Sequence, residues 1–224
     1  ASEGSIKNIQ GKKTAKEAAL KNLQQKKAEH KQKMNKHKEA ISAASTQLNT
    51  NKTARANLNA KLKNAITQIF FSISNFSHYT GFIHKDSHWG NFLYHKIESG
   101  GYFYYKVNGI DVYLENIGFI WVIWDFGFAK KIKSDNVMRD YSRIIHAFYP
   151  TLYGGWIPNN ITYNTKDIDF ALNVSRSLRV LSYNRDSYKT KKKQVHHILF
   201  NLYPELLIKP DESLIINKKP YIIT

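Results

Sequence analysis

Residues 84–91 read His-Lys-Asp-Ser-His-Trp-Gly-Asn, and Asp125-Phe126-Gly127 follows 34 residues after the end of that stretch. Phosphoryl transfer needs one carboxylate to orient a hydroxyl and further oxygen ligands to hold a metal ion. Asp86 is the candidate for the first role, and Asn91 and Asp125 are the candidates for the second. Strand-like apolar runs flank both motifs. The sequence therefore places a carboxylate that can orient a proton and two oxygen ligands for a metal ion in two loop motifs.

Charge is distributed unevenly along the 224 residues, whose formal net charge is +17. Residues 1–64 hold 14 lysines and one arginine against four glutamates, and no aromatic residue precedes Phe70. A segment of that composition cannot build a hydrophobic core. We therefore expect residues 1–53 to form a basic helical or disordered extension. Either it is a solvated tail, or it contacts nucleic acid or another anionic surface.

Two helical patterns precede the first motif. Helix-favouring residues fill 14–44, where Leu20, Leu23 and Ile41 are too sparse to indicate a sustained heptad. From Ala54 apolar residues recur at helical spacing up to residues 79–81, which predicts a helix with one buried face. The predicted main domain is 54–224. The absence of cysteine excludes disulfides and thiolate metal sites.

The region after the first motif reads as strands and then as helices. The predicted strands are 92–97, 102–108, 111–114 and 119–124, with Asn108-Gly109 as a favoured hairpin turn. The predicted helices are 137–148, 167–181 and 191–202. We expect the lysines 191–193 and His196-His197 to lie on a solvated basic helix start rather than in a metal site. No apolar run is long enough to span a membrane.

The run HxDxHWGN, with the apolar strand that leads into Asp125, resembles the haspin family of atypical Ser/Thr protein kinases and related kinase-like proteins of large double-stranded DNA viruses. Haspin itself departs from Asp-Phe-Gly, whereas this chain keeps it. The specific similarity covers about residues 80–133. It implies an α+β fold that corresponds to the large, C-terminal lobe of a protein kinase, mostly helical with a small β-insert and preceded by the long basic helix. No glycine-rich phosphate loop and no strand-borne lysine precede residue 84, so the small lobe is not recognisable.

The resemblance also implies roles for individual residues, with ATP and Mg²⁺ as cofactors. Asp86 would be the catalytic base, and His88 would lie near the transferred phosphate. Asn91 and Asp125 would bind the metal and, with Gly127, the nucleotide. Structural support would come from His84 and Asp169, the latter either bonding the loop backbone as the buried Asp of the kinase central helix does, or merely capping a helix.

Three functions remain open from the sequence. The first is a Ser/Thr protein kinase acting on a protein substrate, with the small lobe supplied by another chain. The second is a pseudokinase that serves as a structural or scaffolding component, for instance of a virus particle. The third is a small-molecule phosphotransferase like the aminoglycoside kinases, which also carry His two residues after the catalytic Asp. We expect a location inside the cell, in cytoplasm or nucleus, or in a virion.

Overall fold

The computed structural model describes residues 3–133, 137–145, 169–183 and 186–224 of the chain. It is an α+β protein, mostly helical with three small sheets. It divides into two units, Ala1–Ala54 and Arg55–Thr224, whereas the sequence placed its boundary between 53 and 54. Within the described ranges, none of the helices combines the length and apolarity that a bilayer span requires.

Helix α1 runs from Glu3 to Thr80 without interruption. The two helical patterns of the sequence thus belong to one helix, because the residues that link them include neither glycine nor proline. Every described residue of the first unit is exposed. The buried face begins at Asn64 and includes Ile66, Ile69 and Phe70.

The predicted strands are confirmed to within two residues at each end. Strand β1 (Phe82–Ile83) pairs with β6 (Lys130–Lys131), and β2 (Phe92–Lys96) pairs with β5 (Phe119–Ile123), both antiparallel. Strands β3 (Tyr102–Val107) and β4 (Ile110–Glu115) form the expected hairpin, and β7 (Tyr221–Ile223), which the sequence did not suggest, adds in parallel to β3. The hairpin turn has φ of 50° at Asn108 and 86° at Gly109, as its dipeptide predicts.

Two buried amides on α1 hold the sheets against the helix. Asn64 donates to the carbonyl oxygen of Glu115 at 2.6 Å, and Gln68 donates to that of Phe119 at 2.9 Å. The amide oxygen of Gln68 accepts from the backbone of Trp121 at 3.0 Å. Because a buried amide without partners is costly, these bonds fix where β4 ends and β5 begins.

The described part of the second unit also contains three shorter α-helices, α2 (Val137–Ile145), α3 (Asp169–Tyr183) and α4 (Tyr188–Leu202). The predicted end of the first at 148 and the predicted start of the second at 167 lie outside the described residues. The shared core consists of apolar side chains from all four helices and from the sheets, among them Phe70, Val107, Tyr141, Leu178 and Leu199.

The expectation of a solvated basic start for α4 was wrong for Lys191, Lys192 and His196, whereas Lys193 and His197 are exposed. His196 is fully buried, and Lys191 and Lys192 are almost as inaccessible. The apolar residues Val195 and Leu199 flank His196 on the same helical face, which is the sequence signal that the lysine run obscured.

A chain of buried hydrogen bonds explains the position of His196. Asn108 donates to Nδ1 of His196 at 2.7 Å, so Nε2 carries the proton and donates to Ser74 at 2.7 Å. Ser74 lies 2.7 Å from the hydroxyl of Tyr141. The chain therefore links α1, α2, α4 and the hairpin turn. Burial, together with the charge of Lys192, lowers the pKa of His196 to about 3.

Stability should fall in acid through this histidine. An unfolded imidazole titrates near pH 6.5, so between about pH 6.5 and 3 the unfolded chain alone binds the proton. The free energy of unfolding should then decrease as pH falls, by up to about 1.4 kcal/mol per pH unit from this group. Denaturant unfolding across that range measures the slope for the wild type and for His196→Gln, which should show a shallower slope and lower stability at pH 7.

His197, exposed and adjacent, provides the matched control. His197→Gln should keep the wild-type slope. An unchanged slope in His196→Gln would contradict the attribution of the loss of stability in acid to His196.

Candidate active site

The backbone of the loop at residues 84–87 is held by a carboxylate that the sequence did not single out. Asp140 of α2 is 1% exposed and accepts from the backbone N–H of His84 at 2.7 Å and of Lys85 at 2.9 Å. The hydroxyl of Ser87 donates to the backbone carbonyl of Asp140 at 2.8 Å and to its carboxylate at 3.3 Å. Burial raises the pKa of Asp140, and the two backbone hydrogen bonds oppose that rise.

Of the two roles that the sequence left open for Asp169, Asp140 takes the bonding of the loop backbone. Asp169 is exposed, at the first turn of α3. The loop amides that it was expected to bind donate to Asp140 instead. A signal for Asp140 was present, because it lies four residues before Ile144 and so shares a helical side with a buried apolar residue.

Asp86 and Asn91 lie together at the two ends of the loop. The amide nitrogen of Asn91 donates to the backbone oxygen of Asp86 at 2.9 Å and to its carboxylate at 3.1 Å. The other carboxylate oxygen of Asp86 forms an ion pair with Arg143 of α2 at 2.8 Å, and Arg143 also donates to the carbonyl of Lys85 at 3.2 Å. Since the nitrogen of Asn91 is committed to Asp86, its amide oxygen is the atom left to meet a ligand.

Asp125 reaches the same end of the β2–β5 pair as Asn91. The carbonyl oxygen of Asn91 accepts from the backbone of Trp124 at 2.9 Å, which continues the ladder to the residue before Asp125. Asp125 has φ of 55°, in the left-handed region that non-glycine residues rarely adopt, and its carboxylate accepts from the N–H of Gly127 at 3.2 Å. A Cβ at Gly127 would stand 3.2 Å from that carboxylate oxygen.

The buried side chain of His84 forms hydrogen bonds with the backbone of both motifs. Its Nε2 donates to the carbonyl oxygen of Trp124 at 2.8 Å, and its Nδ1 accepts from the N–H of Asp86 at 3.3 Å. Its ring lies 5.5 Å from that of Phe126, which stacks on Phe76 of α1 at 5.0 Å. Both ring nitrogens of His84 are thus engaged with the backbone of the two motifs.

His88 lies beside Asp86, with Nε2 3.4 Å from the carboxylate. Its Nδ1 accepts from the N–H of Gly90 at 3.1 Å. A Cβ at Gly90 would approach the His88 ring to 2.9 Å, so a side chain there would displace that ring. The His88 ring is thus positioned between the Asp86 carboxylate and the backbone of Gly90.

A cationic cavity of about 330 Å³ borders the loop. It is lined by Ile83 and four lysines, namely Lys85, Lys130, Lys131 and Lys133. Repulsion from Lys130 lowers the pKa of Lys85, burial adds to the effect, and Arg139 contributes less. Lys85 also has a left-handed φ of 69°. Positive charge is therefore concentrated next to Asp86.

The outer surface of β2 and β5 is apolar at the same edge. Leu93 pairs with Val122 across the ladder, and the two are 48% and 46% exposed. Beyond them Trp124, Phe126 and Phe128 are also exposed. Exposed apolar side chains gathered around polar ones are typical of a surface that a ligand or another polypeptide covers.

Metal-binding capacity at this edge rests on oxygen atoms. Among the residues that the structure describes, no group of three or more His, Cys, Asp or Glu could hold a metal ion by itself. Asn91 and Asp125 offer an amide oxygen and a carboxylate, which suit Mg²⁺ when phosphate oxygens and water complete its coordination.

No protein-family model, curated protein or solved structure matches this chain.

Replacing Asp140 should loosen the loop. In Asp140→Asn the new NH₂ group cannot accept a hydrogen bond, so one of the N–H groups of His84 and Lys85 loses its acceptor. The expected cost is about 1–3 kcal/mol of stability, with faster hydrogen exchange at those two amides.

Asp169→Asn is the matched control, because this aspartate begins α3 in an exposed position. It should leave both amides protected. Protection lost in the control and kept in Asp140→Asn would return the supporting role to Asp169.

Proposed function

We propose that the second unit is the large lobe of a Ser/Thr protein kinase, which transfers the γ-phosphate of ATP to a protein hydroxyl when the nucleotide is covered by a further polypeptide. Asp86 would orient the hydroxyl. Asn91 and Asp125 would hold Mg²⁺, and Gly127 would allow the turn around it.

The observation that carries this proposal is the hydrogen bonding of Asn91. Its nitrogen is fixed on Asp86 while its backbone oxygen pairs with Trp124, so three oxygen-bearing groups from two distant motifs meet at one edge. A plain turn needs no such convergence, whereas phosphoryl transfer depends on it because its catalysis is mostly positioning and charge neutralisation.

Mg²⁺ would supply neutralisation of phosphate charge at this edge. The chain's own contribution is to present the amide oxygen of Asn91 and the carboxylate of Asp125, and to keep the carboxylate of Asp86 oriented through Asn91 and Arg143. His88, beside Asp86, would donate its Nε2–H to a phosphate oxygen, since its Nδ1 accepts from the backbone of Gly90.

The apolar pair of Leu93 and Val122 offers a floor for a purine base. It is next to the metal-binding residues and accessible. The described residues before Phe82 form a helix and contain no strand, so they provide no sheet above that floor. A separate chain that covers the exposed apolar surface would complete the nucleotide site.

The cationic cavity supports a protein substrate over an aminoglycoside-like one. Lys85 and the lysines of residues 130–133 create a positive potential beside Asp86. Such a field repels polycationic small molecules and attracts acidic or phosphorylated peptide segments.

A scaffold without catalysis is the second candidate, and one observation favours it. The carboxylate of Asp86 is occupied by both Arg143 and Asn91, which would have to yield or shift for a substrate hydroxyl to bind. In that case the site would serve only to organise the lobe.

Calorimetric titration with ATP and Mg²⁺ tests the metal site. The wild type should bind ATP more tightly with Mg²⁺ than with EDTA, and Asp125→Asn should lose most of that difference, at least about tenfold in affinity. Asp186→Asn, an exposed aspartate before α4, should behave as the wild type. Equal binding with and without Mg²⁺ in the wild type would reject the kinase proposal for this chain and leave the scaffold.

The apolar floor has its own test. Leu93→Glu should weaken ATP binding by about tenfold or more, since it places a charge against the base and near the phosphates. Leu214→Glu is matched to it, because Leu214 is 49% exposed against 48% for Leu93. Similar losses in both variants, measured by the same titration, would show that the β2–β5 surface has no special part in nucleotide binding.

A further inference from the structure

The large apolar residues of the first unit follow a heptad that the sequence reading had dismissed as too sparse. If Ile6 is assigned position a, every large aliphatic residue or methionine between residues 3 and 54 falls at a or d. The a positions hold Ile6, Leu20, Met34, Ile41 and Leu48, and the d positions hold Ile9 and Leu23. All seven are at least 54% exposed. All of these apolar side chains thus fall at only two of the seven heptad positions, a and d, which indicates a coiled-coil seam.

Positive charge gathers along the same seam. Between residues 6 and 54, nine lysines and one glutamate occupy positions a, d, e and g, whereas b, c and f hold three lysines and two glutamates. The nine are Lys12, Lys13, Lys16, Lys26, Lys27, Lys31, Lys33, Lys38 and Lys52. The outer face is therefore nearly neutral, and the apolar stripe is bordered by cations.

The period of the stripe indicates the shape of its partner. A seven-residue repeat drifts by about 20° per heptad around a straight α-helix. From Ile6 to Leu48 that drift accumulates over six heptads to about 120°, so no flat surface can contact the whole stripe. A second helix that winds around α1 can contact all of it.

Charge argues against a second copy of this chain as that helix. In a parallel pair of copies, position g of one helix faces position e of the next heptad in the other. Lys26 would then face Lys31, and Lys33 would face Lys38. Lys13 and Lys27 would also meet their own counterparts in the seam. Like charges at these positions are destabilising.

We propose that residues 6–54 form a coiled coil with an acidic helix of another protein, which places apolar residues at its own a and d positions and Glu or Asp at e and g. Its carboxylates would pair with the flanking lysines and with Lys13, Lys16 and Lys27 in the seam. The partner site is independent of the function proposed for residues 84–127.

The test uses the full chain and two synthetic peptides of six heptads. Both peptides carry Leu at a and d, with Glu at e and g in the first and Lys at e and g in the second. Fluorescence anisotropy should show binding of the acidic peptide at least about 100-fold tighter than that of the basic one. Sedimentation should show one peptide per chain.

A seam variant separates coiled-coil pairing from general charge attraction. Leu20→Ser with Leu23→Ser should weaken binding of the acidic peptide by about 100-fold, because two apolar contacts are lost. Ala18→Ser with Ala28→Ser is the matched control, since it lies at f and b and costs similar helix propensity. The control should bind as the wild type.

Three results would overturn the proposal. One is equal binding by the seam variant and the wild type. Another is self-association of the wild type that the seam variant abolishes, which would make a second copy the occupant. The third is binding of a 30-base-pair DNA duplex, insensitive to the seam substitutions, without any binding of the acidic peptide.

Discussion

The buried carboxylate of Asp140 is the constraint on which the candidate site depends. It accepts from two successive loop amides and so fixes the backbone that carries Asp86. Ionised, it would be costly to bury in an apolar core, and the loop donors supply the compensation. The strained φ of Lys85 is sustained by the same interaction, because both neighbouring N–H groups point at one acceptor. Loop and helix α2 therefore form one unit, and Arg143, one turn further along α2, extends it to the Asp86 side chain.

A second set of contacts brings the later motif to this loop. His84 binds the carbonyl of Trp124 and packs against Phe126, which stacks on α1. The amides of Asn64 and Gln68 hold β4 and β5 on the same helix. Asp125 is thereby positioned from two sides. Contacts with the core thus fix the positions of the site's polar groups, while the apolar floor of Leu93 and Val122 is exposed.

The two units present different kinds of surface. The second unit gathers oxygen ligands and an adjacent cationic cavity at one edge, which suits an anionic, phosphate-bearing ligand. The first unit exposes every described residue on a single helix, with its apolar and cationic positions sharing a seam. The two proposals therefore rest on separate observations.

The sequence alone predicted motifs, strands and turns, and it did not predict hydrogen bonds between residues that are far apart in the chain. The order of Asp86, Asn91 and Asp125, the strands, the Asn108-Gly109 turn and the basic extension follow from spacing and propensity, which act between near neighbours. The sequence did not indicate the roles of Asp140 and His196, because their partners lie tens of residues away in the chain. Those partners are the loop amides for Asp140, and Ser74 and Asn108 for His196. A single carboxylate or imidazole in a helical pattern looks solvated until packing removes water from it. Tertiary structure alone decided which polar groups were buried, because burial depends on every element that packs around them.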